Sequence, residues 1–137
     1  MTIPDSEKLG FIINGIQQYT PKEVFQLCKQ GAILVDVREE FMTYFKKIDI
    51  ENIILLPLSE LQAQYQSLSH DIHYIFADAT GLRSKEAIEF LKDKGFTNIS
   101  NMAGGLVEWE SDLLPLNINT KEKLSGSCMC QIKPRTK

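Results

Sequence analysis

Four short apolar runs alternate with segments of helical pattern along this chain, and this alternation limits its fold more than any other feature. The apolar runs are residues 32–37, 53–56, 72–77 and 98–102. The first of them, AILVDV, is rich in branched residues, which is typical of a strand buried on both faces of a parallel sheet. Helical segments are predicted over residues 20–31, 39–45, 59–68, 83–94 and 106–110. A strand followed by a helix, four times over, predicts an α/β domain with a parallel sheet and right-handed crossovers.

Two of the predicted helices begin with a capping signal. Thr20 is followed by Pro21 and, three residues on, by Glu23, so a side-chain cap, a proline at the first helical position and a capping box coincide. Ser59 and Gln62 repeat the capping-box spacing at the start of the third predicted helix. These signals predict helices that begin at residues 21 and 60.

The length and composition indicate one globular domain. A chain of 137 residues corresponds to a single domain at roughly 150 residues per domain. We expect this domain at residues 19–115, after a lead-in at 1–18 and before a basic tail at 116–137. The apolar runs are far shorter than the about 20 residues that cross a bilayer. Because the net charge is −3, nonspecific nucleic-acid binding is also disfavoured, and we expect neither membrane nor nucleic acid as a partner.

Charge and cysteine are distributed unevenly along the chain. Residues 1–116 carry a net charge of −7, whereas residues 117–137 carry +4. Cys28 falls on the apolar face of the first helix and is expected to be buried, whereas Cys128 and Cys130 form a Cys-x-Cys pair in the tail. An odd number of cysteines and the lack of a signal-peptide pattern favour reduced thiols and a cytoplasmic location.

The loop after the third predicted strand is the strongest candidate site. Ligand sites in open α/β sheets lie beyond the carboxyl ends of the strands, where this loop is placed. Gly81 allows successive main-chain amides to turn inward, and the following helix adds its free N–H groups, so the loop can form a cradle for an anion. The same residues would also serve as an ordinary connection into a well-capped helix. The loop consists of Asp78, Ala79, Thr80, Gly81, Leu82, Arg83 and Ser84.

Six segments, from about Thr20 to Leu114, resemble a single rhodanese-like domain in their order along the chain. They are TPKEVFQL, LVDVREEF, LLPLSEL, ATGLRS, KGFTNI and AGGLVEW. The resemblance implies a rhodanese-like fold, which is a three-layer α/β domain with a parallel sheet of four to five strands and helices on both faces. It also implies an active-site loop of the pattern Cys-x-x-Gly-x-Arg-Ser, whose cysteine carries sulfur as a persulfide. Gly81, Arg83 and Ser84 match this pattern, but Asp78 occupies the position of the cysteine.

The resemblance also covers Asp36 and Arg38, which match an Asp-x-Arg pair at the end of the first predicted strand. We interpret this pair as a structural ion pair, because close Arg–carboxylate geometry is a common brace. In the alternative interpretation, Arg38 adds positive potential near the loop.

The aspartate determines the functional prediction. A persulfide requires a thiolate, and a carboxylate cannot form one. A negative side chain in the cradle should also repel thiosulfate. We therefore expect a catalytically inactive loop without metal or cofactor, and a domain that binds a protein partner or a sulfur donor.

The tail offers an alternative chemistry. Cys128 and Cys130 stand near Lys133, Arg135 and Lys137, and positive charge raises the thiolate fraction of a nearby thiol. The pair could therefore act as a sulfur carrier or a redox pair. It could also be incidental to a docking segment, or supply half of a metal site completed by a partner, since two ligands do not close a zinc site.

Overall fold

The computed structural model describes residues 9–119, which form one large sheet, a two-stranded ribbon and five α-helices. The sheet has the strand order β1-β2-β7-β6-β3-β5, and all its neighbours are parallel except β1 and β2. The predicted α/β class with a parallel sheet is confirmed. The strands are β1 Phe11–Ile13, β2 Ile16–Tyr19, β3 Ile33–Asp36, β4 Lys46–Ile48, β5 Ile53–Leu55, β6 Tyr74–Ala77, β7 Ile99–Met102 and β8 Leu116–Ile118.

Four of the five α-helices in the described residues lie where the apolar pattern predicts them, and the third is much shorter than predicted. The five helices are α1 Pro21–Lys29, α2 Glu40–Phe45, α3 Leu61–Gln64, α4 Ser84–Asp93 and α5 Gly105–Ser111. The capping box of α1 is confirmed, because the Glu23 N–H donates to Thr20 Oγ1 at 3.3 Å and the Thr20 N–H donates to Glu23 Oε1 at 2.9 Å.

The second predicted capping box is wrong. Ser59 lies inside a 3₁₀ turn, Leu58–Glu60, and its hydroxyl donates to Glu39 Oε1 at 2.8 Å instead of capping α3. The segment predicted as one helix over 59–68 is this 3₁₀ turn, the short α3 and a second 3₁₀ turn, Tyr65–Ser67. A long-range contact with the loop before α2 has therefore replaced the local cap.

The segment before residue 19, expected as a lead-in, supplies two strands of the sheet within its described part. Asn14 and Gly15, with φ of +52° and +80°, form the two-residue turn of the β1–β2 hairpin. Left-handed conformation at both central residues is the pattern of a type I′ turn, for which Asn-Gly is the preferred sequence. β2 then pairs in parallel with β7, so the hairpin extends the sheet beyond the predicted strands.

Apolar side chains from helices on both faces of the sheet form two cores. One lies under α3 and α4 and contains Phe76, Ile88 and Leu91. The other lies under α1 and α5 and contains Trp109 together with Cys28, which is buried as predicted. The two cores confirm the three-layer arrangement.

The segment after α5 forms a two-stranded ribbon with β4. β8 pairs antiparallel with β4, and the Asn119 N–H donates to the Phe45 carbonyl at 2.8 Å. The first residues of the predicted tail thus belong to a ribbon, and Cys128 and Cys130 lie outside the described residues. Within residues 9–119, no helix combines the length and the apolar character that a membrane span requires.

Candidate functional site

The loop 78–84 leaves β6 at the carboxyl edge of the sheet. Asp36 pairs with Ala77 across β3 and β6, so Asp78 stands one residue beyond the last paired position. The side chain of Asp78 is buried, although it belongs to a loop. A buried carboxylate requires hydrogen-bond donors, and the geometry of the loop provides them.

The Asp78 carboxylate is bound by the main chain of its own loop. The Gly81 N–H donates to Oδ1, and the Arg83 N–H donates to Oδ2 at 2.9 Å. Gly81 has a φ of +91°, in the left-handed region, which turns its amide toward the loop interior. We call these two N–H groups, with the loop that holds them, the cradle. It can hold a negatively charged group, and in this structure it holds the side chain of Asp78.

A buried polar network stands behind the cradle. The Ser84 hydroxyl donates to Asn101 Oδ1, while the amide nitrogen of Asn101 donates to the Gly81 carbonyl at 3.2 Å and to Gln18 Oε1 at 2.8 Å. Ser84 has one hydroxyl hydrogen, which it donates to Asn101. That hydrogen is then not available to Asp78, although Asp78 Oδ1 lies 3.4 Å from Ser84 Oγ. Main-chain amides therefore stabilise the negative charge of Asp78.

Sequence reasoning missed Gln18 and Asn101. Both are buried and both lie within strands, β2 and β7. The signal that could have found Asn101 is a polar side chain in a strand otherwise buried on both faces, because such a group needs a partner; β2 is half-buried at Gln17 and Tyr19, so Gln18 carries no such signal.

The N-terminus of α5 fixes the first part of the loop. The N–H of Leu106 donates to the Asp78 carbonyl at 2.9 Å, and the N–H of Val107 donates to the Ala79 carbonyl at 3.0 Å. Gly105 makes this approach possible, because a Cβ at this position would stand 2.5 Å from the Asp78 carbonyl oxygen. Gly105 is thus required by close packing of main chain on main chain, whereas Gly104 is favoured by its φ of +79° and by the nearby side chain of Glu108.

Asp36 and Arg38 form a buried ion pair at the end of β3, the neighbour of the strand β6 that leads into the loop. Arg38 Nη2 donates to Asp36 Oδ2 and to the Lys46 carbonyl, both at 2.8 Å. The Arg38 N–H and Nε also donate to the same carboxylate. The guanidinium therefore joins the end of β3 to the start of β4.

The thiol that the structure describes lies away from the cradle. Cys28 belongs to α1, and burial raises the pKa of its thiol to about 11. A thiol with this pKa carries very little thiolate at neutral pH and is a poor nucleophile. Within residues 9–119 there is no group of three or more His, Cys, Asp or Glu side chains that could hold a metal ion.

These features define a three-layer α/β domain with an amide-lined cradle beyond the carboxyl ends of its strands. The family model described as the rhodanese-like domain matches residues 20–112, and the chain belongs to this family.

Relatives and solved structures agree with this membership. A thiosulfate sulfurtransferase of Haemophilus influenzae is 27% identical over 105 residues, which are 74% of this chain and 94% of the relative. Rhodanese-like domain-containing protein 17 of Arabidopsis thaliana is 29% identical over 111 residues, 71% of this chain and 70% of the relative. The crystal structure of a rhodanese-related protein from Thermoplasma volcanium superimposes with a TM-score of 0.66 and 31% identity, covering 74% of this chain and 98% of that one.

Proposed function

We propose that this domain is a rhodanese-like binding or regulatory module whose cradle is occupied by its own Asp78, and that it has no thiosulfate sulfurtransferase activity. One observation carries the proposal. The two oxygens of the Asp78 carboxylate accept the Gly81 and Arg83 N–H groups that line the cradle.

Two physical consequences of an aspartate at position 78 support the lack of sulfurtransferase activity. A carboxylate does not take sulfur from thiosulfate to form a persulfide, because that step requires a thiolate. An anion that approaches the cradle also meets a negative charge in a buried site, where electrostatic repulsion is stronger than in water. The site therefore lacks both the nucleophile and the empty positive potential that the reaction requires.

The decisive comparison is between the natural chain and a variant that restores the thiol. We expect no transfer of sulfur from thiosulfate to cyanide by the wild type, and measurable transfer by Asp78→Cys. Asp78→Ser is the matched control, because it also removes the carboxylate but supplies no thiol. Turnover of thiosulfate by the wild type at the same rate with and without residues 120–137 would show that the loop is catalytic as it stands.

A second candidate function rests on the tail sequence. Cys128 and Cys130, surrounded by Lys and Arg, would act as a sulfur carrier or a redox pair on behalf of the loop. A persulfide on either thiol would add the mass of one sulfur atom to the tail peptide after incubation with a sulfur donor. Absence of that adduct, together with unchanged activity in Cys128→Ser/Cys130→Ser, would exclude this function.

A further inference from the structure

The helix α2 presents its apolar side chains to solvent. Phe41 is 76% exposed and Tyr44 is 62% exposed, and Met42 and Phe45 are exposed as well. Its buried residue is Thr43, whose hydroxyl donates to the Glu40 carbonyl at 3.1 Å. A surface helix ordinarily buries its apolar side and exposes its polar side, so α2 has the reverse arrangement. Apolar residues grouped in this way mark an interaction surface.

This apolar surface continues onto the ribbon beside α2. Ile118 on β8 is 37% exposed, pairs with Lys46, and is followed by Asn119, whose N–H binds the Phe45 carbonyl. We call the exposed side chains of Phe41, Met42, Tyr44, Phe45 and Ile118 the α2 surface. The chain thus leaves its described part at the border of this surface.

The size of the α2 surface favours an occupant that is already tethered to it. At roughly 200 Å² for a fully exposed large side chain, the exposed fractions of its five members sum to about 500 Å². A stable complex between separate proteins buries about 800 Å² on each partner. A segment of the same chain needs less contact area, because tethering replaces a bimolecular encounter by a high effective concentration.

The composition of residues 120–137 complements the surface and the domain that carries it. The segment has a net charge of +4, opposite in sign to the −7 of residues 1–116. Beside the α2 surface itself the charges are mixed, because Glu40 precedes it and Lys46 and Lys47 follow it, so the attraction is between the segment and the domain as a whole. Leu124, Met129 and Ile132 supply the apolar side chains that the α2 surface can contact.

We propose that residues 120–137 bind the α2 surface of their own chain. In this proposal they are the main occupant of the surface, in preference to a second copy of the chain or a separate protein. Cys128 follows Asn119 by nine positions, a distance of at most about 30 Å when fully extended. Cys128 and Cys130 are therefore within reach of α2 along the chain. The proposal does not depend on whether the loop has sulfurtransferase activity.

The tail cysteines provide the test in the full-length chain. Tyr44→Cys places a thiol in the α2 surface, and Leu113→Cys places one at a residue that is 91% exposed and precedes β8 by a few residues. Diamide oxidises two thiols to a disulfide and takes up their two hydrogen atoms. We expect the disulfide within one chain to form at least about fivefold faster from position 44 than from position 113, as measured by non-reducing electrophoresis and peptide mass spectrometry.

Further outcomes separate the possible occupants. In Phe41→Ser/Tyr44→Cys the ratio of the disulfide-formation rate at position 44 to that at position 113 should decrease, because the apolar contact is weakened. Equal rates at positions 44 and 113, or no disulfide at either, would overturn the proposal. Disulfides that join two chains through position 44 would instead assign the surface to a second copy and would also overturn it. A wild-type chain with thiosulfate activity would contradict the proposed function and leave this test unaffected.

Discussion

Removal of the Asp78 side chain is the most informative perturbation of the cradle. In Asp78→Ala, the N–H groups of Gly81 and Arg83 lose a charged acceptor. A hydrogen bond to a charged group contributes about 1.5–3 kcal/mol, so the two together set an upper range of about 3–6 kcal/mol. Because water replaces part of this at the partly exposed Arg83 N–H, we expect a loss of about 2–4 kcal/mol in the free energy of unfolding.

The same variant should gain an anion site. An emptied cradle has two inward N–H groups and no charge of its own, so sulfate or thiosulfate can take the place of the carboxylate. At a tenfold excess of anion over its Kd, the stabilisation is about 1.4 kcal/mol. We expect sulfate to restore part of the lost stability in Asp78→Ala, measured as the urea midpoint at constant ionic strength.

Two controls distinguish this effect from a general action of sulfate on protein stability. The wild type receives only the general effect, because its cradle is occupied. Asp71→Ala removes one exposed carboxylate without touching the cradle. The reasoning is refuted if Asp78→Ala unfolds at the same urea concentration as the wild type, or if sulfate stabilises all three proteins equally.

Three further predictions concern other residues of the domain. Arg38→Met should cost about 3–5 kcal/mol of stability because it leaves the buried Asp36 carboxylate without its partner, and adding Asp36→Asn should recover much of the loss in urea unfolding. Gly105→Ala should destabilise the domain by more than about 3 kcal/mol through its clash with main chain, whereas Gly15→Ala, which meets open space, should cost only about 1–2 kcal/mol for its positive φ; equal losses would contradict the packing argument. Burial lowers the pKa of His73 below 6.5, so the unfolded chain is protonated first and stability falls as the pH drops through 6.5. His73→Gln should flatten this dependence in urea midpoints measured between about pH 7.5 and 5.5, and an unchanged slope would argue against it.

The features that could be predicted from the sequence are those set by local signals. The alternation of apolar runs with helical pattern identified the parallel sheet, and Thr20 with Glu23 identified the start of α1. Gly81 and the following helix predict the loop 78–84 as a candidate anion cradle, and the Gly81 and Arg83 N–H groups turn inward onto Asp78. Each apolar run, cap or glycine of this kind is identified from residues that lie a few positions apart.

The features that could not be predicted depend on distant partners. Asn101 binds Gln18 across 83 positions of sequence, and no local pattern pairs the two. Ser59 has the spacing of a cap but binds Glu39, because a nearby carboxylate from another loop competes with the local amide. The Asn14-Gly15 turn is different, because its signal is local. Asn-Gly is the preferred dipeptide of a type I′ turn, and it is sufficient to indicate the β1–β2 hairpin.

The position of β7 in the sheet has a consequence for the order of folding. β2 has β1 and β7 as its neighbours, while β3, β5 and β6 lie on the other side of β7. A chain emerging from the ribosome therefore carries β2 for about 80 residues of further synthesis before Ile99 arrives to join it to the rest of the sheet. Contacts of such long sequence separation slow folding, because loop closure must precede the stabilising contact. The sheet is therefore complete only after β7 has joined it, and the same strand brings Asn101 to the loop of Asp78.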